Sequence, residues 1–235
     1  VAYGYNRSCP ICSSLNHRVI HEFNDFQFYC DSDEVSKRYN VRNVQCFECF
    51  AVFMDPCYSE FGFKVLFDEA GKSYGSLSSH TDEQIAWLDA KALIFSESKI
   101  LDVGCYDGSF LARLPNNLFK YGVDIDKGAI ELGKVKHQQS NTTLVCDDFT
   151  SFDLDGVTPD CITMYHVLEH LSEPIRVLKR LRKISHSKTK LVIEVPVIDN
   201  GNTNDIHGFF TVQHATHFSR ASLANCLRVS GLDNH

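Results

Sequence analysis

From residue 99 onward the chain alternates short apolar segments with amphipathic ones, and this alternation constrains its fold more than any other feature. "KILDVG", "KYGVDI", "TTLVCDD", "PDCITMYHV" and "TKLVIEVPV" read as strands. "GSFLARL", "DKGAIELGKVKHQ" and a stretch from about Pro174 to Ile184 read as the helices between them. Strands this short and nearly continuously apolar belong in a parallel sheet buried on both faces. The expected fold class is therefore α/β, a doubly wound Rossmann-like sheet whose ligands sit beyond the carboxyl ends of its strands.

That rule selects the polar residues worth weighing. Asp102 and the loop from Gly104 to Gly108 end the first of these strands, and Asp124 ends the second. Asp147 and Asp148 end the third, and Tyr165 and His166 the fourth. The glycines let a ligand approach the backbone, and a helix starting near Gly108 would offer its amides to an anion. Asp124 lies where an acid accepts hydrogen bonds from ribose hydroxyls. The loop "GCYDG" is spaced G-x-x-x-G rather than G-x-G-x-x-G, which disfavours a nicotinamide enzyme.

The formal charge of −7, from 23 Lys and Arg against 30 Asp and Glu, repels polyanions, so nucleic acid is not the expected partner. The basic run "RVLKRLRK" reads as the solvated face of a helix whose other face carries Ile175, Val177, Leu178, Leu181 and Ile184. No apolar run approaches the roughly 20 residues of a membrane helix, so no membrane role is expected. Ten cysteines with no secretory signal at the start of the sequence point to a cytoplasmic protein with reduced thiols. There, paired cysteines more often hold metal than form disulfides.

Two such pairs share one spacing: "CPIC" holds Cys9 and Cys12, and "CFEC" holds Cys46 and Cys49. Four thiolates in two knuckles are what a tetrahedral structural zinc requires, the alternatives being free thiols or a disulfide pair. The aromatic and β-branched residues between them predict short strands, hence a zinc ribbon whose thin core the metal staples. Cys30 and Cys57 read as packing residues. After Pro56 the chain turns polar, and "TDEQIAWLDAKALIF" opens a helix with Thr81 as its cap and with Ile85, Leu88 and Ala92 on one face. The expected division is a zinc-ribbon module over 1–57, a connector and helix over 58–98, and the ligand-binding domain over 99–235.

"LDVGCYDGSFL", "YGVDID", "LVCDDF", "PDCITMYHVLEHLSEP", "LVIEVPV" and "QHATHFSRASL" follow one another in the order of the motifs of class I S-adenosylmethionine-dependent methyltransferases, which residues 80 to 230 resemble. The ribbon is similar to the zinc module that precedes some of these enzymes, sugar C-methyltransferases among them. The resemblance implies an enzyme using S-adenosylmethionine. Asp102, Gly104 and Gly108 would hold its methionine end, Asp124 rather than Asp126 its ribose, and Asp147, with Asp148 as the second choice, its adenine, with Phe149 and Tyr165 alongside. Tyr106, in a loop that resembles the family's "CNDG" form, would stand at the cofactor's edge and shape the acceptor pocket.

Transfer from a sulfonium is an in-line displacement, so the acceptor must be aligned and deprotonated. His166 is the first candidate base and His214 the second, among His170, His207 and His217. The acceptor implied is a small molecule such as a nucleotide-linked sugar or another metabolite. In the sugar C-methyltransferases a tyrosine-histidine-glutamate-histidine run stands where this chain reads "HATHFS", and only His217 matches it, so their reaction does not carry over. The family's closing antiparallel hairpin is not in the sequence as far as "RVSGLDNH", being missing, truncated away or outside the numbering; if missing, the fifth strand is left as an edge for a second subunit, a homodimer, to cover. The alternative is a catalytically degenerate binding module that works through a protein partner.

Overall fold

The computed structural model describes residues 4–28, 37–59, 63, 78–200 and 210–232. Cys30 and His207 lie outside the described residues. The chain forms two compact units: one contains 1–75, 168–175 and 195–235, the other 76–167 and 176–194. This partition cuts across the sequence-order division at 57 and 98.

The first unit opens with β1 (Gly4–Tyr5), β2 (His17–Phe28), β3 (Lys37–Cys46), β4 (Val52–Met54) and β5 (Cys57–Tyr58). The predicted strands between the cysteine pairs are thus two long antiparallel ones, β2 and β3, with β4 beside β3. The alternation in β3 puts Val44 and Cys46 in the interior, and Cys57 is fully buried, as its packing role requires.

In the second unit α1 (Ser78–Ala90) leads into β6 (Lys99–Val103), α2 (Ser109–Arg113), β7 (Phe119–Asp124), α3 (Lys127–Lys136), β8 (Thr142–Cys146) and β9 (Cys161–Tyr165). A helix, α4 (Pro174–Ile184), and a last strand, β10 (Lys190–Glu194), complete the pattern. The five strands form one wholly parallel sheet in the order β10-β9-β6-β7-β8. Strand order reverses at β6, which places the expected ligand crevice at the carboxyl ends of β6 and its neighbours. β10 is an edge strand of this sheet.

Within α4, Val177, Leu178 and Leu181 are buried while Arg176, Lys179, Arg182 and Lys183 are exposed, so the basic run is a solvated helix face. The first helix departs from expectation. α1 begins at Ser78, so Thr81 is not its cap but a buried residue one turn inside. Ala92 lies beyond the helix in the left-handed region, at φ 51°. The buried stripe of α1 is Thr81, Gln84 and Leu88, spaced three and four apart.

The chain then returns to the first unit through β11 (Thr216–His217) and α5 (Arg220–Val229), the latter opened by a capping box between Ser219 and Ser222. β11 pairs antiparallel with β4, giving the sheet order β11-β4-β3-β2. "HATHFS" is therefore part of the sheet that carries the second cysteine pair. Arg7 ties the segments of this unit together, donating to the carbonyls of Met54 (3.1 Å), Ser172 (2.7 Å) and Ala215 (2.5 Å). Phe23, Val41, Met54, Val212 and Ala215 pack in its core.

Candidate active site and metal centre

In the second unit the acids picked out by strand-end position converge. Asp102, at the end of β6, is 4% exposed and accepts from the Thr163 hydroxyl at 2.7 Å. Burial pushes its carboxyl up to about 7; the Thr163 hydroxyl opposes this and the Asp124 carboxylate adds to it. The folded value thus lies above the ordinary value of about 4, and the native state holds this proton more tightly than the unfolded chain does. Its contribution to stability is greatest below that window and is lost as pH rises from about 4 through 7. Asp102→Asn is expected to remove this slope, leaving a variant a few kcal/mol less sensitive to pH between 5 and 8 than the parent. Urea unfolding at the two pH values measures it, and equal sensitivity in both proteins would refute the shift.

The loop after β6 is shaped by its contacts. Gly104 has φ +78°, and a Cβ there would stand 2.2 Å from Val167 Cγ2; Gly108 has φ +73° with Leu144 Cδ2 2.8 Å from the same point. Both positions require glycine for conformation and for space. Tyr106 is also left-handed, at φ 51°, with its side chain 38% exposed and its amide donating to Asp124 Oδ2 at 2.8 Å. Asp107, to which the sequence assigned no role, accepts from the Ser109 amide at 3.0 Å and from Lys136 Nζ at 2.8 Å. Burial opposes its ionisation, but the Lys136 and Ser109 hydrogen bonds outweigh it and hold the carboxyl below its ordinary value. One of the helix amides expected to face an anion is therefore already taken by Asp107.

Asp124 is 9% exposed, and its other oxygen accepts from the Asp126 amide at 2.8 Å. Burial pushes its carboxyl up. Each carboxylate oxygen retains a lone pair after these contacts. Asp126 has a different job: it caps α3, its Oδ1 accepting from the Ala129 amide at 2.9 Å. Asp147 joins Asp124 through a backbone hydrogen bond of 3.1 Å, and its side chain is exposed. The Asp148 carboxylate instead closes a local turn onto the Thr150 amide (2.6 Å) and hydroxyl (2.5 Å), with Phe149 buried beside it.

Tyr165 ends β9, its ring edge-on to Phe110 at 5.1 Å and its hydroxyl buried without a hydrogen-bond partner. Burial, then the Asp102 charge, raises its phenol well above the usual value. Next to it, His166 sits at φ 54° with Nε2 3.2 Å from Glu194 Oε1, the same oxygen that His80 Nε2 approaches at 2.7 Å. Gln84 donates to Glu194 Oε2 at 3.0 Å. Burial opposes ionisation of Glu194, but the contacts from Gln84, His80 and His166 hold its carboxyl below the ordinary value. The strand-end rule that found His166 would have found Glu194 at the end of β10. His80 and Gln84, four apart on α1, face it because that spacing puts both on one helix face. A cavity of about 290 Å³ opens beside this group, walled by Trp87, Tyr165, Val192 and Ile193.

His214 belongs to the first unit and His166 to the second. His214 stacks edge-on with His170 at 4.9 Å, and these two with Glu169 form a group whose ligand atoms lie within 4.8 Å of one another. His217 is 2% exposed, bonded to Asn43 Oδ1 at 2.9 Å, and burial, helped by the Arg7 charge, pushes its imidazole down to about 3. It is a neutral packing histidine of the β11–β4–β3 sheet.

The four paired cysteines also converge. Cys9 and Cys49 sulfurs are 3.5 Å apart, as are those of Cys12 and Cys46, and all four lie within 4.8 Å of one another. The two knuckles are built alike: Ser13 and Phe50, each four residues after the first cysteine of its pair, are left-handed at φ 64° and 58°. Tetrahedral zinc at about 2.3 Å from each sulfur needs sulfurs roughly 3.8 Å apart, so the cage fits that ion's size and donor type.

The family profile described as "Methyltransferase domain" matches residues 79–235. The chain belongs to the methyltransferase domain family. Its α/β sheet is the methyltransferase sheet of class I, preceded by the small cysteine-bearing module. The match runs through β11 and α5, so the methyltransferase domain in sequence terms includes segments that pack in the first unit. Magnesium protoporphyrin IX methyltransferase from Synechocystis PCC 6803, solved with bound SAH, has the same fold. Its TM-score is 0.56 at 20% identity, over 73% of this chain and 86% of that one. An S-adenosylmethionine-dependent methyltransferase from Clostridium acetobutylicum ATCC 824 superposes with a TM-score of 0.54 at 11% identity, covering 72% and 85%. The ubiquinone biosynthesis O-methyltransferase of Coxiella burnetii (strain RSA 493 / Nine Mile phase I) is 32% identical over 83 residues, 34% of this chain. The matched segment spans 36% of that relative's length. Among the described residues no helix is long and apolar enough to cross a membrane.

Proposed function

We propose that this protein transfers a methyl group from S-adenosylmethionine to a small-molecule acceptor and that Cys9, Cys12, Cys46 and Cys49 hold a structural zinc. The observation that carries the first part is the convergence of Asp102, the Gly104–Gly108 loop and Asp124 at the order-reversing end of the sheet of a methyltransferase domain. These residues fit the cofactor. Gly104 and Gly108 keep the loop in left-handed turns where a side chain would collide with Val167 and Leu144, leaving the loop backbone bare toward the crevice, and Asp124 keeps lone pairs for the two ribose hydroxyls. Asp102 is a buried carboxyl whose ionisation a neighbouring ammonium, such as that of the methionine end, would favour. Asp147, whose amide joins the end of β7 at Asp124, meets the adenine; it and Asp148 each spend Oδ1 on a local amide and keep Oδ2. When bound, S-adenosylmethionine supplies a methyl group on a positively charged sulfur.

His166 takes the acceptor's proton, with Glu194 holding its ring and stabilising the imidazolium that forms. His214 is the second choice, since its neighbours His170 and Glu169 belong to the other unit. Calorimetry with S-adenosylhomocysteine tests cofactor use: saturable binding at one site per chain is expected, and none by a folded protein would end the enzyme reading. With an acceptor in hand, His166→Ala is expected to lower kcat by roughly 10²- to 10⁴-fold while leaving S-adenosylhomocysteine affinity unchanged. Full activity of that variant would transfer the base role elsewhere.

A further inference from the structure

The cavity beside Trp87 has a chemistry of its own, and its assignment rests on the methyltransferase reading above. It is bounded by α1 on one side and by the ends of β9 and β10 on the other. Trp87 and Tyr165 supply aromatic surface, and Val192 aliphatic surface. Its charged groups are the carboxylates of Glu83 and Glu194 with the imidazole of His80; no lysine or arginine lines it among the described residues. A nucleotide diphosphate needs cations or a built anion site, and two carboxylates oppose it. A volume of about 290 Å³ suits one substituted ring, given that a cavity of about 150 Å³ admits benzene.

We infer that the acceptor subsite takes a hydroxylated aromatic ring, a phenol without phosphate, rather than a nucleotide-linked sugar. The ring lies against Trp87 and Val192, which with Glu194 is on the face of β10 toward α1, and its O–H is directed to the His80–Glu194–His166 group. In the reaction the phenol O–H bond breaks and the proton passes to imidazole. The oxygen's electron pair forms the new O–CH₃ bond as the S–CH₃ bond breaks, and the departing pair stays on sulfur as the neutral thioether S-adenosylhomocysteine.

Trp87 is the chain's single tryptophan, so its fluorescence reports on this cavity without any need for turnover. The protein, saturated with S-adenosylhomocysteine, is titrated with catechol and separately with UDP-glucose. Saturable quenching by catechol and none by UDP-glucose is the expected result, with catechol affinity falling about tenfold or more in Val192→Asp, which places a third carboxylate on the wall. Saturable quenching by UDP-glucose, or only linear collisional quenching by catechol, overturns the assignment. Should Val192→Asp fail to fold, Val192→Phe, which fills the cavity with a second ring, takes its place, and undiminished catechol affinity in it counts against the subsite. Binding of S-adenosylhomocysteine is measured on the same sample. Its presence without phenol binding rejects this inference alone, and its absence rejects the methyltransferase reading.

Discussion

Asp124→Ala is expected to weaken S-adenosylhomocysteine binding by at least about a hundredfold, because two hydrogen bonds from ribose to a charged acceptor contribute roughly 1.5–3 kcal/mol each. Calorimetry measures the loss, and circular dichroism checks that the sheet survives. A secondary effect follows from the native contacts. Asp124 also accepts from the amides of Tyr106 and Asp126, so the variant leaves two loop donors to water and its melting temperature falls by a few degrees. Asp126→Ala provides the contrast: it removes the cap of α3, costs about 1 kcal/mol of stability, and leaves cofactor affinity within a fewfold of the parent. Equal affinity losses in the two variants would show that the loop's integrity, rather than a ribose contact, is what Asp124 supplies.

Cys46→Ser is expected to release the metal and to unfold the sheet built on β2, β3 and β4. The free energy of structural zinc binding, about 10–16 kcal/mol, is as large as the whole stability of an ordinary domain. Metal analysis of the purified protein should find one zinc per chain. Hydrogen exchange should show protection of β3 lost on chelation while β6, β7 and β9 keep theirs. Absence of zinc from the wild-type protein would overturn the ribbon. Burial pushes the Cys9 thiol up to about 11 and that of Cys49 higher still. Burial also opposes ionisation of Cys46, but amides of Cys49 and Glu48 hold it below its ordinary value. Without metal most of these thiols are protonated at neutral pH, so zinc displaces protons and its affinity rises with pH.

How much of this was legible in the sequence differs from element to element. The strands from β6 to β10 and the helix Pro174–Ile184 stand where hydrophobic periodicity put them, because that periodicity records which faces are buried. Helix α1 was mis-bounded because Thr81 and Gln84, polar residues at core-facing positions, do not read as apolar. Asp107 was passed over because its partner Lys136 lies 29 positions away. Strand-end position marks Glu194 itself, but its partner His80, 114 positions distant, carries no such mark.

By itself the sequence determined what neighbours along the chain dictate: the alternation that makes a parallel sheet, the acids at its strand ends, and the cysteine spacing that makes two knuckles. Tertiary structure alone decided that the Asp124 carboxylate also holds the Tyr106 amide, 18 positions away, and so fixes the loop after β6. It also decided that "HATHFS" feeds the sheet of the cysteine module, where His217 is buried as a neutral partner of Asn43, 174 positions away. It alone assembled Glu194, His80 and Gln84 around His166. Periodicities of two and 3.6 residues are local and survive in the sequence, whereas a hydrogen bond between distant residues exists only once packing has brought them together.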